Sequence, residues 1–179
     1  MIDRISKMFE RFGAEHYGEN ASQLAHALQC AHLAQRDGHA DSLVAAALLH
    51  DVGQFIDDAG NAAEKLNTDA EHETTGARLL SSWFPPAVTE PVRMHVDAKR
   101  YLCAVEPGYA ETLSDASSLS LQLQGGPMSA EEAAHFAAQP FAGDALQLRR
   151  YDDAGKQPGL QVPALESYFP LLESLVVTA

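Results

Sequence analysis

Six residues of this chain form one ordered set with the character of metal ligands: His26, the pair His50-Asp51, His72, His95 and Asp152. Neutral imidazoles mixed with carboxylates suit first-row transition ions such as iron, manganese or zinc. They do not suit calcium or magnesium, which take oxygen donors. The His-Asp dipeptide solves a geometric problem. Its imidazole holds one ion while the adjacent carboxylate reaches across and bridges to a second. Six donors in this order are a set for two metal ions.

A lone histidine on an amphipathic helix is usually structural or solvated, so the case rests on the set. His26 lies mid-helix beside Ala27 and Ala31, with Gln23 and Cys30 one turn away. His50-Asp51 directly follows the apolar run 43–49, where buried charge is expensive unless paired or bound to a cation. His72 opens a helix and His95 sits inside one. Asp152 follows Leu148, Arg149, Arg150 and Tyr151, a helix end with two cations close by. His32, His39 and His135 lack such placement and are assigned no role.

The elements that must position these groups all read as helices, and no segment reads as a strand. Ile2, Ile5, Phe9 and Phe12 recur at helical spacing and stop at Gly13. A second helix enters near Ser22 and closes at Gly38. Asp41 is expected to cap a third, which is broken at Gly53. Residues 54–67 read as a polar loop. A fourth helix is expected over 70–83, ended by Pro85-Pro86, and a fifth carries His95 through Lys99 to Leu102. Ser114 caps a sixth segment that stops at Gly125-Gly126, and Ser129 with Glu132 is a capping box for the next. Asp152 ends the helix after Pro140, and a last helix over 162–177 tolerates or kinks at Pro170. The expectation is one all-α domain over 1–179.

Composition narrows the function. A length of 179 residues allows one domain with a sizeable core. The net charge of -13 argues against nucleic acid, because phosphate backbones call for basic patches. A small anionic substrate stays open, since a few local cations can invert the field inside a cleft. Cys30 and Cys103 lack metal-type spacing and read as reduced residues of a cytoplasmic protein. The apolar stretch 43–49 is far short of a membrane span. The oligomeric state, a homo-oligomer included, is left open.

The order His…His-Asp…His…His…Asp resembles the signature of the HD-domain superfamily, whose fold is a helical bundle. Stretches such as QLAHALQCAHLAQRDG, AALLHDVGQF, HVDAKRYL, LSDASSLSLQLQGGPMS and LRRYDDAGK narrow the similarity. They resemble the branch of mixed-valent diiron oxygenases that cleave organophosphonates, and the resemblance covers residues 15–170. It implies two iron ions in mixed Fe(II)/Fe(III) states. One would be held by His26, His50, Asp51 and Asp152, the other by the bridging Asp51 with His72 and His95. The open positions on the second ion would take a chelating substrate and O2. In the family a hydroxyl and a phosphonate oxygen of the substrate chelate that iron, hydrogen is removed from the hydroxyl-bearing carbon, and the carbon–phosphorus bond breaks.

The resemblance also implies a phosphonate pocket of Lys99, Ser117 and Arg149. Lys99 is four residues after His95 and Arg149 three before Asp152, so on helices both lean toward ligands. Two positions depart from the family pattern. Gln54 stands where members carry a second histidine after the His-Asp pair. The family's lid tyrosine aligns with His16, with Tyr17 next to it, so either could serve as the lid ligand. Glu19 matches the residue that meets the substrate's amino end. Two alternatives compete: a metal-dependent phosphohydrolase of HD type that needs no oxygen, and a degenerate binding module, which the intact ligand set disfavours.

Overall fold

Residues 1–17, 19–56, 59–61 and 68–177 are described by a computed structural model, and among them the ordered elements are all helical. The helices are α1 (Ile2–Phe12), α2 (Gln23–Arg36), α3 (Asp41–Leu49), α4 (His72–Leu80), α5 (Pro86–Val105), α6 (Asp115–Leu123), α7 (Ala130–Ala137), α8 (Ala142–Ala154) and α9 (Phe169–Ser174). Short 3-10 turns at Val52–Phe55 and Ala59–Asn61 occupy the described part of the expected polar loop. The rest of that loop lies outside the described residues.

Helix starts follow local chemistry. The hydroxyls of Ser22 and Ser114 accept from the amides of Ala25 and Ser117, and Ser129 with Glu132 closes a capping box. Several boundaries differ from expectation: α4 stops at Leu80, short of 83, and the last helix shrinks from 162–177 to a 3-10 turn at Leu165–Tyr168 and the short α9. Asp41 is the first residue of α3, and its cap is Ala40. The fourth helix starts at His72 because Glu71 takes a left-handed conformation at φ 47°, which cannot continue a helix. Pro170 falls in the first turn of the short α9, where a missing amide hydrogen breaks no bond, so it opens that helix and does not kink it.

The central rod is α3. Its residues 43–49 are apolar all round and buried, the pattern of a helix enclosed on every side. Around it pack α2, α5, α8 and α9, and α4 lies across α5. A smaller apolar cluster joins α5, α7 and α8 through Met94, Ala98, Phe136 and Ala145.

Two glycines set the close approaches that the centre needs. A side chain on Gly53 would overlap the His72 carbonyl, so its absence lets the start of α4 rest against the end of α3. A side chain on Gly155 would overlap the Cys30 sulfur, and that approach brings the Gly155 carbonyl to His26.

Candidate metal centre

Five separate helix positions deliver the six expected ligands to one place. His26 comes from α2, His50-Asp51 from the end of α3, His72 from the start of α4, His95 from the middle of α5 and Asp152 from near the end of α8. The Nε2 atoms of His26 and His50 are 3.2 Å apart, and those of His72 and His95 are also 3.2 Å apart. Asp51 lies between the two pairs. Its Oδ2 is 3.7 Å from His26 Nε2 and 3.5 Å from His50 Nε2, while its Oδ1 is 3.4 Å from His72 Nε2 and 3.9 Å from His95 Nε2. Asp152 Oδ1 completes the first group at 3.4 Å from His26 and 3.9 Å from His50.

These spacings fit metal ions. Donors about 2.1 Å from an ion stand roughly 3.0–3.4 Å from their neighbours in octahedral or tetrahedral geometry. Ring orientation gives an independent test. His26 Nδ1 faces the Gly155 carbonyl at 2.9 Å, His50 Nδ1 the Ala47 carbonyl at 2.9 Å and His95 Nδ1 the Val92 carbonyl at 2.7 Å. A carbonyl only accepts, so each Nδ1 carries a hydrogen, and each ring in its neutral form turns a bare lone pair inward. Two lone pairs 3.2 Å apart repel unless a cation lies between them.

Protonation divides the four rings into two neutral and two that favour a proton. Burial depresses His50, and it lowers His95 to about 3, so both rings stay neutral. Burial opposes ionisation of Asp51, but the facing imidazoles of His50 and His72 hold it well below the usual carboxylate range. Arg149 and Lys156 do the same for Asp152. Burial also opposes a charge on His26 and His72, yet Cys30 and Asp152 outweigh it at the first ring and Asp51 and Glu73 at the second. Metal binding at either ring therefore displaces a proton.

Cys30 sits among the first group, with its sulfur 3.7 Å from His26 Nδ1. Its thiol donates to the Tyr151 carbonyl, and burial raises its pKa, so it stays a thiol behind the ring and leaves the coordinating role to the carboxylates. Cys103 is likewise free.

His50 is fully buried, whereas His26, Asp51, His72, His95 and Asp152 all line a cavity of about 300 Å³. Tyr17, Glu19, Gln54, Lys99, Ser117, Arg149 and Lys156 share its wall with apolar patches such as Val96, Leu119 and Leu123. Lys99 is buried and donates to Ser120 at 2.7 Å; burial and the nearby Arg149 lower its pKa to about 7. Arg149 is already engaged. It donates to Asp152 at 2.7 Å, to Asp153 and to Tyr109, and only its Nη2 edge leans toward Ser117 at 3.5 Å. It thus orients Asp152 as much as it faces the cavity.

Of the two lid candidates, Tyr17 lines the cavity and holds φ 43°, a conformation that bulky residues rarely adopt. His16 is exposed, and its Nδ1 is 3.2 Å from the Glu19 carbonyl. Lys156 is absent from the set the sequence pointed to. Its Nζ is 2.7 Å from Glu19, 3.2 Å from Ser117 and 3.7 Å from Asp152. The signal was present, since Lys156 follows Asp152 by the same four residues that separate Lys99 from His95.

A helical bundle that converges this ordered His and Asp set on one cavity defines a class of metal-binding proteins. The chain belongs to it: the HD domain family model matches residues 23–132. The chain is 45% identical over 176 residues to a hydroxymethylphosphonate dioxygenase of Gimesia maris, spanning 96% of this chain and 88% of that one. It is 40% identical over 177 residues to a [1-hydroxy-2-(trimethylamino)ethyl]phosphonate dioxygenase (glycine-betaine-forming) of Leisingera caerulea, spanning 98% and 90%. An uncharacterized protein of Acanthamoeba polyphaga mimivirus is 32% identical over 174 residues, spanning 96% and 80%. No helix among the described residues is long and apolar enough to cross a membrane.

Proposed function

We propose that the chain is a diiron oxygenase that uses O2 to cleave the carbon–phosphorus bond of a small 1-hydroxyphosphonate. The observation that carries this is Asp51, whose two oxygens face a four-donor group on one side and a three-donor group on the other, at the wall of one cavity. Fewer protein donors on the three-donor side leave room for substrate, as a reactive site requires. The two similar dioxygenases act on phosphonates that carry a hydroxyl on the phosphorus-bearing carbon. Two iron ions, held by His26, His50, Asp51 and Asp152 and by Asp51, His72 and His95, would supply one-electron chemistry and a site for O2.

The chain's own residues do the rest. Lys99, Lys156 and Ser117, with the Nη2 edge of Arg149, converge to hold a phosphonate dianion. Gln54 meets the rest of the substrate without charge, and Glu19, which holds Lys156 at 2.7 Å, meets it from beside the phosphonate group. Val96, Leu119 and Leu123 keep bulk water from the carbon chain. Tyr17 covers the second metal position before substrate arrives.

The test is to purify the protein anaerobically with iron and follow O2 consumption and phosphate release against a panel of 1-hydroxyphosphonates. Phosphate release that depends on O2 is the expected result. Release of phosphate from phosphate esters without O2, with manganese, cobalt or zinc, would make the chain a metal-dependent phosphohydrolase instead.

A further inference from the structure

We infer that Glu73 is the positioning residue of the second metal: its carboxylate anchors His72 and loads negative charge onto that ring. The inference rests on reading the six ligands as a two-ion centre.

The four ligand histidines are not held alike. His50 and His95 each donate Nδ1–H to the carbonyl three residues earlier, Ala47 and Val92, one turn back in their own helices. His26 donates to the Gly155 carbonyl. His72 is the first residue of α4, after the left-handed Glu71, so no helical turn precedes it to offer such a carbonyl. The atom that faces its Nδ1 is Glu73 Oε2, at 3.6 Å. That is ion-pair reach, a few tenths of an ångström beyond a hydrogen bond.

Burial pushes the Glu73 carboxyl up, and the His72 ring pulls it back toward the charged form. Its Oε2 is shut off from solvent and accepts no hydrogen bond from the described residues. A buried carboxylate oxygen without a donor is costly, and turning toward the His72 ring relieves that cost. The nearby side chains of Asp69 and Glu71 are acidic and offer no cation.

The placement has a consequence for the ion. A carboxylate behind a ligand imidazole fixes its tautomer and makes it a stronger donor than a carbonyl does. His72 belongs to the group with fewer protein donors, so the charge of Glu73 strengthens the position that most needs it. It also distinguishes the two ions electronically, because the Nδ1 atoms of His26 and His50 face carbonyls, with the Cys30 thiol beside His26, and no carboxylate.

The test is equilibrium metal binding by anaerobic Fe(II) titration against a chromophoric chelator, with the midpoint potential of the reconstituted centre as second readout. Wild type, Glu73→Gln and Glu73→Ala are compared. Glu73→Ala is expected to weaken only the second ion, by about 10–100-fold. Glu73→Gln keeps an acceptor of the same shape without the charge, so it should fall between and raise the potential of the second ion. Unchanged affinities and potential in both variants would overturn the role of Glu73, as would equal weakening of both ions. Wild type binding fewer than two ions would instead sink the two-ion centre on which the inference stands.

Discussion

The ammonium of Lys156 lies 2.7 Å from Oε1 of Glu19, joining two residues 137 positions apart across the mouth of the cavity. The same carboxylate oxygen accepts from Ser114 at 2.7 Å, so three separate segments meet at Glu19. Burial disfavours the Lys156 charge, but Asp152 and Glu19 keep it protonated. Lys156→Met is expected to raise KM for hydroxyphosphonates at least about tenfold, the usual scale for losing a charge-assisted contact. Metal content should be retained. Steady-state kinetics with iron analysis checks both, and an unaltered KM would leave Lys156 a structural cation.

Asp51 is expected to be the residue on which both ions depend. Asp51→Asn removes the charge that faces both histidine pairs, so both ions should be lost or uncoupled. His95→Ala should empty mainly the second position. Elemental analysis under iron-replete conditions separates the two outcomes, and at most one metal per wild-type chain would rule out the pair.

Lys99 gives the site a pH dependence. Its pKa is lowered to about 7 in the folded protein, so the side chain is charged below that value and neutral above it. Anion binding should therefore weaken as pH rises through about 7. Arginine stays charged across this range, so Lys99→Arg should remove the step from the KM profile, and Lys99→Ala should bind weakly throughout. A profile shared by wild type and Lys99→Arg would assign the step to another group, the substrate included.

Tyr17 is expected to approach the second iron in the resting enzyme and to swing away when substrate binds. Its left-handed backbone stores strain that such a movement can release. A tyrosinate on ferric iron should give a visible charge-transfer band that fades on adding substrate and is missing from Tyr17→Phe. His16, exposed beside Glu19, should be replaceable by alanine with little change to that band. Loss of the band in His16→Ala and not in Tyr17→Phe would reverse the assignment.

Gly53 is expected to be intolerant of any side chain. A Cβ there overlaps the His72 carbonyl and presses on the Gly76 amide, both backbone atoms that cannot turn aside. Gly53→Ala should cost about 2 kcal/mol or more and weaken the metal site, because α4 must back away with His72. Thermal melts with and without metal measure both effects, and a melting point like that of wild type would show that α4 can shift freely.

The all-helical fold and the six candidate donors that meet at the centre were legible in the chain because both depend on local facts. Apolar spacing, serine caps and a His-Asp pair after an apolar run are set within a turn or two. Lys99 was legible for the same reason, since four residues on a helix put it on the face of His95. Other features were decided by how the helices pack. The contact of Lys156 with Glu19 needs the end of α8 beside the segment before α2, which no spacing encodes. Arg149 sits where its position suggested, but Asp153 and Tyr109 claim most of its guanidinium. Tyr17 and His16 are neighbours in sequence, and only the turn of the backbone sends one to the cavity and the other to solvent. The chain determines which donors exist; the packing determines which lone pair each turns inward, because a ring's orientation is fixed by whatever accepts from its other nitrogen.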